Sequence, residues 1–425
     1  MSEPLKLLDG CKMTKQKMTM KKVFRKIHLW LSVPVGIIIT LICFSGAMLV
    51  YEKELTEALR HDLYFVKEVK AEALPMDELL ETVEQTLPDS VSITGVTVFP
   101  DSTRAYQVSL SKPRRASVYV DQYTGEVKGR SERLPFFNTM MRLHRWLQGQ
   151  SSVPDGIAWG KLLTGVSTLF MVFILLTGIQ MWLTNRNKPL KKSLVIHFTS
   201  GWPRFWHDLH VAGGIYATIF LLALALTGLT WSFSWYRTGF YACFGVESSG
   251  GGHGSRHGTE QTEGNRDGSG RGANRGEHGG NHGNRGGHGG YHGHGDDGGF
   301  FGRGGHRRSP YRHWQEVLDE VAKKNPGYRQ ITMKSEAAEV IPAGRASLRA
   351  ADTYTFNRRS GEITDVKPYS SQAKDTKVRG AVYTVHTGSW GGAVTRLLTF
   401  LSALIGATLP LTGYYLWIRR LTRKK

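Results

Sequence analysis

Four histidines stand at comparable places along the chain: His28, His144, His210 and His386. Each precedes a long apolar run. Each run carries a small-residue signature: Phe44-Ser45-Gly46, Leu176-Thr177-Gly178, Leu226-Thr227-Gly228 and Leu411-Thr412-Gly413. His28 precedes Gly46 by 18 residues, and His210 precedes Gly228 by the same 18. Imidazole can move a proton near neutral pH or ligate a metal. Such a side chain at a membrane helix is costly and points to function. The competing reading for any single histidine is an interfacial side chain reaching the lipid headgroups. Four histidines in repeat-related pairs, His28 with His210 and His144 with His386, favour ligation.

The elements that must position them are four spans, each long enough for a bilayer, which needs about 20 apolar residues. They are placed at 27–50, 157–183, 207–235 and 393–418. Between them lie soluble stretches at 51–156 and 236–392, and a short basic loop at 184–206. Net charge is +20, and the excess collects in the basic lead 1–26, the loop 184–206 and the tail 419–425. Short basic segments stay cytoplasmic. Both termini and the loop are therefore expected in the cytoplasm, with the two long stretches on the other side. Because the basic runs flank spans, membrane orientation explains them and nucleic-acid binding is not expected. Cys11, Cys43 and Cys243 provide no disulfide framework or cysteine metal cluster.

The soluble stretches repeat. In the first, Met76–Leu87 has helical spacing, and 91–99, 104–110 and 116–120 read as strands. In the second, 313–324 reads as a helix, with strands at 328–333, 346–348 and 353–356. The stretch Phe356-Asn357-Arg358-Arg359-Ser360-Gly361-Glu362-Ile363 matches Val120-Asp121-Gln122-Tyr123-Thr124-Gly125-Glu126-Val127. The fold class expected is a mainly α membrane protein. Four transmembrane helices form a duplicated helix–module–helix arrangement with two small α+β modules, the second at 309–370. A tract at 249–308, rich in Gly, His, Arg and Asn, is inserted in the second copy only; such a composition cannot bury a core.

The set resembles the PepSY-associated transmembrane family, which includes bacterial inner-membrane reductases linked to iron and siderophore uptake. The residues that carry the resemblance are Lys26-Ile27-His28-Leu29-Trp30, Leu143-His144-Arg145-Trp146, Asp208-Leu209-His210 and His386-Thr387-Gly388, with the signatures and the two Gly-Glu turns. The resemblance covers nearly all of residues 20–420 outside the insertion. It implies PepSY-like periplasmic modules and a b-type haem protein that moves electrons across the membrane, multi-pass in the bacterial inner membrane.

An electron-transfer haem takes an axial ligand on each face, and imidazole suits it. A helix bundle can offer such ligands from facing helices. Two haems b are expected, one between His28 and His210 and one between His144 and His386, with about 27 Å of helix rise between the levels. Gly46, Gly178, Gly228 and Gly413 would either let a flat cofactor approach or let the helices pack closely. His207, three residues before His210, is the alternative inner ligand. Arg142, Arg145 and Arg204 could pair with haem propionates or serve as basic flanks. No flavin or nicotinamide fingerprint is visible, so the donor is a cytoplasmic protein or membrane quinol. The acceptor that the resemblance implies is periplasmic ferric iron or a ferric siderophore. His253, His257, His278, His282, His288, His292, His294 and His306 in the insertion could collect metal weakly. The alternative function is a non-enzymatic membrane anchor or regulator of a periplasmic protease.

Overall fold

The computed structural model describes residues 4–113, 116–150, 156–184, 193–246, 310–345 and 347–422, with backbone only for 4–21. The insertion histidines and residues 185–192 of the basic loop lie outside the described residues. Four helical stretches are long and apolar enough to cross a membrane: Lys22–Val50, Trp159–Leu183, Trp202–Ser232 and Ser389–Thr422. The first belongs to α1 (Pro4–Val50) and the second is α6 (Trp159–Leu183). The third joins α7 (Trp202–Asp208), a π-helical turn (Leu209–Gly213) and α8 (Gly214–Ser232). The fourth contains α12 (Gly392–Thr422).

These helices form a four-helix bundle in which α1 and α8 each pack against both α6 and α12. Its centre is made by Val35, Ile39 and Cys43 of α1, Met171 and Leu175 of α6, Ala217 and Leu221 of α8, and Ala407 of α12. Much of the remaining apolar surface faces outward, as Ile37, Phe173, Ile219 and Leu411 do. An apolar belt of this kind suits lipid and not water.

Smaller helices connect the bundle to a sheet: α2 (Glu52–Leu59), α3 (His61–Tyr64), α5 (Pro135–Trp146), α9 (Ser234–Ala242) and α11 (Lys374–His386). The two soluble stretches do not form separate modules. Their strands make one antiparallel sheet of eight, in the order β4-β3-β2-β1-β5-β6-β7-β8. The first half is β1 (Ile93–Val98), β2 (Tyr106–Leu110), β3 (Ser117–Val120) and β4 (Val127–Arg130). The second is β5 (Tyr328–Lys334), β6 (Ala337–Pro342), β7 (Asp352–Phe356) and β8 (Ile363–Lys367). The halves join where β1 pairs with β5, with Val96 opposite Met333 and a Thr97–Thr332 hydroxyl bond of 3.0 Å.

One helix from each half covers the same face of the sheet, α4 (Met76–Gln85) and α10 (Trp314–Lys324). Their buried residues repeat the same spacing: Met76, Leu79, Leu80 and Val83, then Trp314, Val317, Leu318 and Val321. That i, i+3, i+4, i+7 pattern is one helical stripe. The Gly-Glu turns also superimpose in detail. The Gly125 amide donates to Asp121 O at 2.9 Å and the Gly361 amide to Asn357 O at 2.8 Å, both glycines at positive φ, 73° and 75°. A side chain is strained in that region and glycine is not.

Of the expected strand at 346–348, residue 346 lies outside the described residues, and 347–348 lie in a turn, where the Ala350 amide donates to Ser347 O at 3.1 Å. The pairing is made instead by Ala337–Pro342, where Ala338, Val340 and Ile341 are buried. β4 and β8 were not anticipated either, being short and largely unburied.

Candidate functional site

The four histidines meet in two pairs at opposite ends of the bundle. His28 of α1 faces His210 of the π-helical turn, ring centroids 6.4 Å apart and planes at 87°. His144 near the end of α5 faces His386 at the end of α11, centroids 6.0 Å apart and planes at 53°. The second pair lies at the sheet end and the first at the far end. α5 and α11 explain the irregular spacing of His144 and His386 in sequence, since each rides on a separate short helix before its span.

Every one of these rings is held the same way. His28 Nδ1 donates to the Ile174 carbonyl at 3.1 Å and lies 3.1 Å from Thr177 Oγ1. His210 Nδ1 does the same with Leu409 O at 3.1 Å and Thr412 Oγ1 at 2.9 Å. His386 Nδ1 does so with Leu224 O and Thr227 Oγ1, both at 3.1 Å. His144 Nδ1 donates to Ile42 O at 2.9 Å, beside the fully buried Ser45. The cradle is thus a carbonyl, a hydroxyl residue three positions on, and a glycine next. The hydroxyls bond back to the same carbonyls, for example Thr177 Oγ1 to Ile174 O at 2.9 Å.

The signature glycines complete the cradle. A Cβ at Gly46 would stand 2.8 Å from His144 Cε1, at Gly228 3.1 Å from His386 Cε1, at Gly413 3.4 Å from His210 Cε1, and at Gly178 3.6 Å from His28 Cε1. At Gly46 and Gly228 the missing Cβ admits the imidazole from another helix, while at Gly413 and Gly178 a Cβ would make ordinary contact. Sequence reasoning singled out these positions and missed the threonine hydroxyls and the carbonyls. The signal was present: Ile42, Ile174, Leu224 and Leu409 all lie four residues before the glycine, hence on its helical face.

A carbonyl only accepts, so each Nδ1 carries the proton and each Nε2 keeps its lone pair. A backbone partner that fixes the tautomer and aims the ring is the usual companion of a metal-ligating histidine. Burial pushes His386 down to about 3 and His144 in the same direction, which keeps both neutral. Among the described residues no cluster of three or more His, Cys, Asp or Glu could hold a bare metal ion. Two neutral imidazoles facing each other instead suit a metal whose other positions are filled by a chelating ring.

His207 is drawn aside: its Nδ1 lies 3.2 Å from Asp208 Oδ1, and its side chain is half exposed. Asp208 is buried and also binds His197 Nδ1 at 2.7 Å and Arg204 Nε at 2.8 Å. Arg204 is therefore already paired. Arg142 donates to Gln148 O at 3.1 Å, and Arg145 lies over the Trp146 ring at 4.8 Å. Trp231 packs edge-on against His386 at 5.0 Å.

A span-length helix bundle capped by a duplicated sheet, with paired imidazoles at each end, defines a multi-pass membrane protein built by internal repetition. The chain belongs to the family described as the PepSY-associated TM region, which it matches over residues 25–420. No curated protein matches it.

Proposed function

We propose that this chain is an inner-membrane b-type haem oxidoreductase that passes electrons across the bilayer to ferric iron or a ferric siderophore. His28 and His210 would hold one haem iron at the far end, and His144 and His386 a second at the sheet end. The observation that carries this reading is the pairing itself: four buried or half-buried imidazoles, two by two, each with Nδ1 committed and Nε2 free. A haem in such a setting supplies reversible one-electron chemistry.

The chain's own residues do the rest. The cradle carbonyls fix the tautomer and orient each ring. The close-packed centre of the bundle keeps water from the path between the levels. Ile42 and Gly46 lie 14 and 18 residues beyond His28 on α1, so the levels are separated by about 21–27 Å of helix rise. With the basic segments cytoplasmic, electrons enter at the His28/His210 level from a cytoplasmic protein or a membrane quinol. They would leave at the His144/His386 level, beneath the eight-stranded sheet on the periplasmic side. The insertion histidines would collect metal weakly at that outer face.

The test is a reduced-minus-oxidised spectrum of the purified protein with haem quantitation. Two haems per chain and b-type bands are expected. A protein purified with intact fold and no Soret band overturns the reading and leaves a membrane anchor for the sheet.

A further inference from the structure

Ahead of α7 the chain lies along the flank of the bundle. The Tyr216 hydroxyl of α8, six residues beyond His210, donates to Leu194 O at 3.1 Å. The Trp182 indole of α6 donates to Ser193 Oγ at 2.8 Å. The start of the segment 193–201 is thus tied to the sides of two spans near the far-end pair. Val195, Phe198 and Trp202 stand exposed there, and so do Tyr216 and Ile219 on one face of α8. Exposed aromatic and apolar side chains at the end of a span meet lipid at the headgroup level.

One buried carboxylate organises this segment. Asp208, two residues before His210, accepts at both oxygens. His197 Nδ1 donates to Oδ2 at 2.7 Å and Arg204 Nε to the same oxygen at 2.8 Å, while His207 Nδ1 lies 3.2 Å from Oδ1. A carboxylate only accepts, so both imidazoles carry their proton on Nδ1 and keep a lone pair on Nε2. Both side chains are half exposed with the Nδ1 edge turned in to Asp208. Arg204 offsets the charge of Asp208, and a proton gained by either ring would sit beside the carboxylate. A carboxylate that fixes the tautomer and stabilises the imidazolium makes histidine an effective base. The first half has no such group: Arg25 and Lys26 occupy the places of His207 and Asp208.

We infer that a membrane hydroquinone delivers its electrons at this segment, with His197 and His207 taking its two protons. Such a role rests on the haem reading above and selects between its two donors. A protein donor passes electrons alone and has no use for bases at the site. A hydroquinone becomes a quinone only by losing two O–H protons with two electrons. Each O–H bond breaks with its proton going to one imidazole Nε2. The two electrons pass one at a time to the ferric haem b of the far-end pair, which is reduced twice. Phe198 and Trp202 offer the ring an aromatic face, and a donor dissolved in lipid reaches them without crossing water.

The test is stopped-flow mixing of the full-length haem protein in nanodiscs with decylubiquinol, read at the Soret band, beside calorimetric binding of decylubiquinone. The quinol should reduce the haem. His197→Gln, whose amide can still donate to Asp208, should bind the quinone unchanged and slow reduction about 100-fold, the scale of a lost general base. His207→Gln should slow it as well. Reduced methyl viologen, a donor that sheds no proton, should reduce both variants and the unaltered protein at one rate. Phe198→Ala with Trp202→Ala should weaken quinone binding about tenfold. A preparation with no Soret band ends the haem reading itself. A haem that viologen reduces and decylubiquinol does not overturns the inference alone, as does absence of quinone binding. Equal quinol rates in the unaltered protein and both histidine variants also overturn it, and Asp208 then serves only to pin the segment.

Discussion

At the scale of single residues, the four cradles are not equally tight. An added methyl at Gly46 would stand 2.8 Å from His144 Cε1, while at Gly178 it would make ordinary contact with His28 at 3.6 Å. Overpacking of the first kind costs about 1–3 kcal/mol when the neighbour cannot move, and the His144 ring is tied to Ile42 O. On the proposed haem reading, Gly46→Ala should therefore lower haem content at the sheet end, and Gly178→Ala should leave it unchanged, as counted by pyridine haemochrome assay. The histidines themselves should act in pairs. His28→Ala and His210→Ala should each remove the same haem, and the double variant no more than either, because the two ligands act as a unit. His207→Ala should leave full haem content. Loss of haem from His207→Ala but not from His210→Ala would move the inner ligand by one helical turn.

At the scale of elements, two joints hold the sheet to the bundle and to itself. Arg396 of α12 binds the Glu54 carboxylate, through Nη2 at 2.8 Å, and the Val50 carbonyl at 2.5 Å, while lying over the Tyr51 ring. The Arg396 hydrogen bond holds the Glu54 carboxyl below its ordinary range. A depressed carboxyl contributes stability above its unfolded pKa, about 4.3, and loses it as pH falls through the lower folded value. Arg396→Gln should accordingly lower the thermal midpoint at pH 7 and have a smaller effect once the pH has fallen through the lowered Glu54 value, where only the Val50 and Tyr51 contacts remain. The seam between halves is equally specific. A Cβ at Gly95 would stand 2.6 Å from the Met333 carbonyl, so Gly95→Val should part β1 from β5. The expected cost is about 1–3 kcal/mol, read as a lower midpoint with the far-end haem retained. The sequence revealed α4 and α10 within a residue or two, because a helical stripe survives in any context. It did not reveal β6, whose Ala337-Ala338 start has weak strand preference, nor the seam, which pairs segments more than two hundred residues apart. The histidine pairs were legible from repeat position alone. Their threonine and carbonyl partners were not, since a backbone acceptor leaves no mark on residue type.

At the scale of the whole molecule, orientation follows from charge. Reporter fusions after Thr184 and at the C-terminus should read cytoplasmic, and one after Gly125 periplasmic. A periplasmic signal at Thr184 would reverse the direction assigned to electron flow without touching the pairing. Removing residues 250–305 should leave haem content unchanged, because the repeat closes through α9 and α10 on either side of that stretch. Haem loss on deletion would make the tract part of the site.

The two halves have one further consequence. Every imidazole rests in a cradle of its own half, yet every pair is completed across the halves. Each half is thus a protomer, and the chain is a dimer with its subunits spliced end to end. Expressed as two polypeptides divided between α6 and α7, the halves should find each other through the β1–β5 edge and rebuild both sites. Splicing also frees the subunits from having to be identical. Gln122 and Tyr123 in one correspond to Arg358 and Arg359 in the other, so two turns of the same backbone form carry different charge. A homodimer would have had to carry the same pair in both.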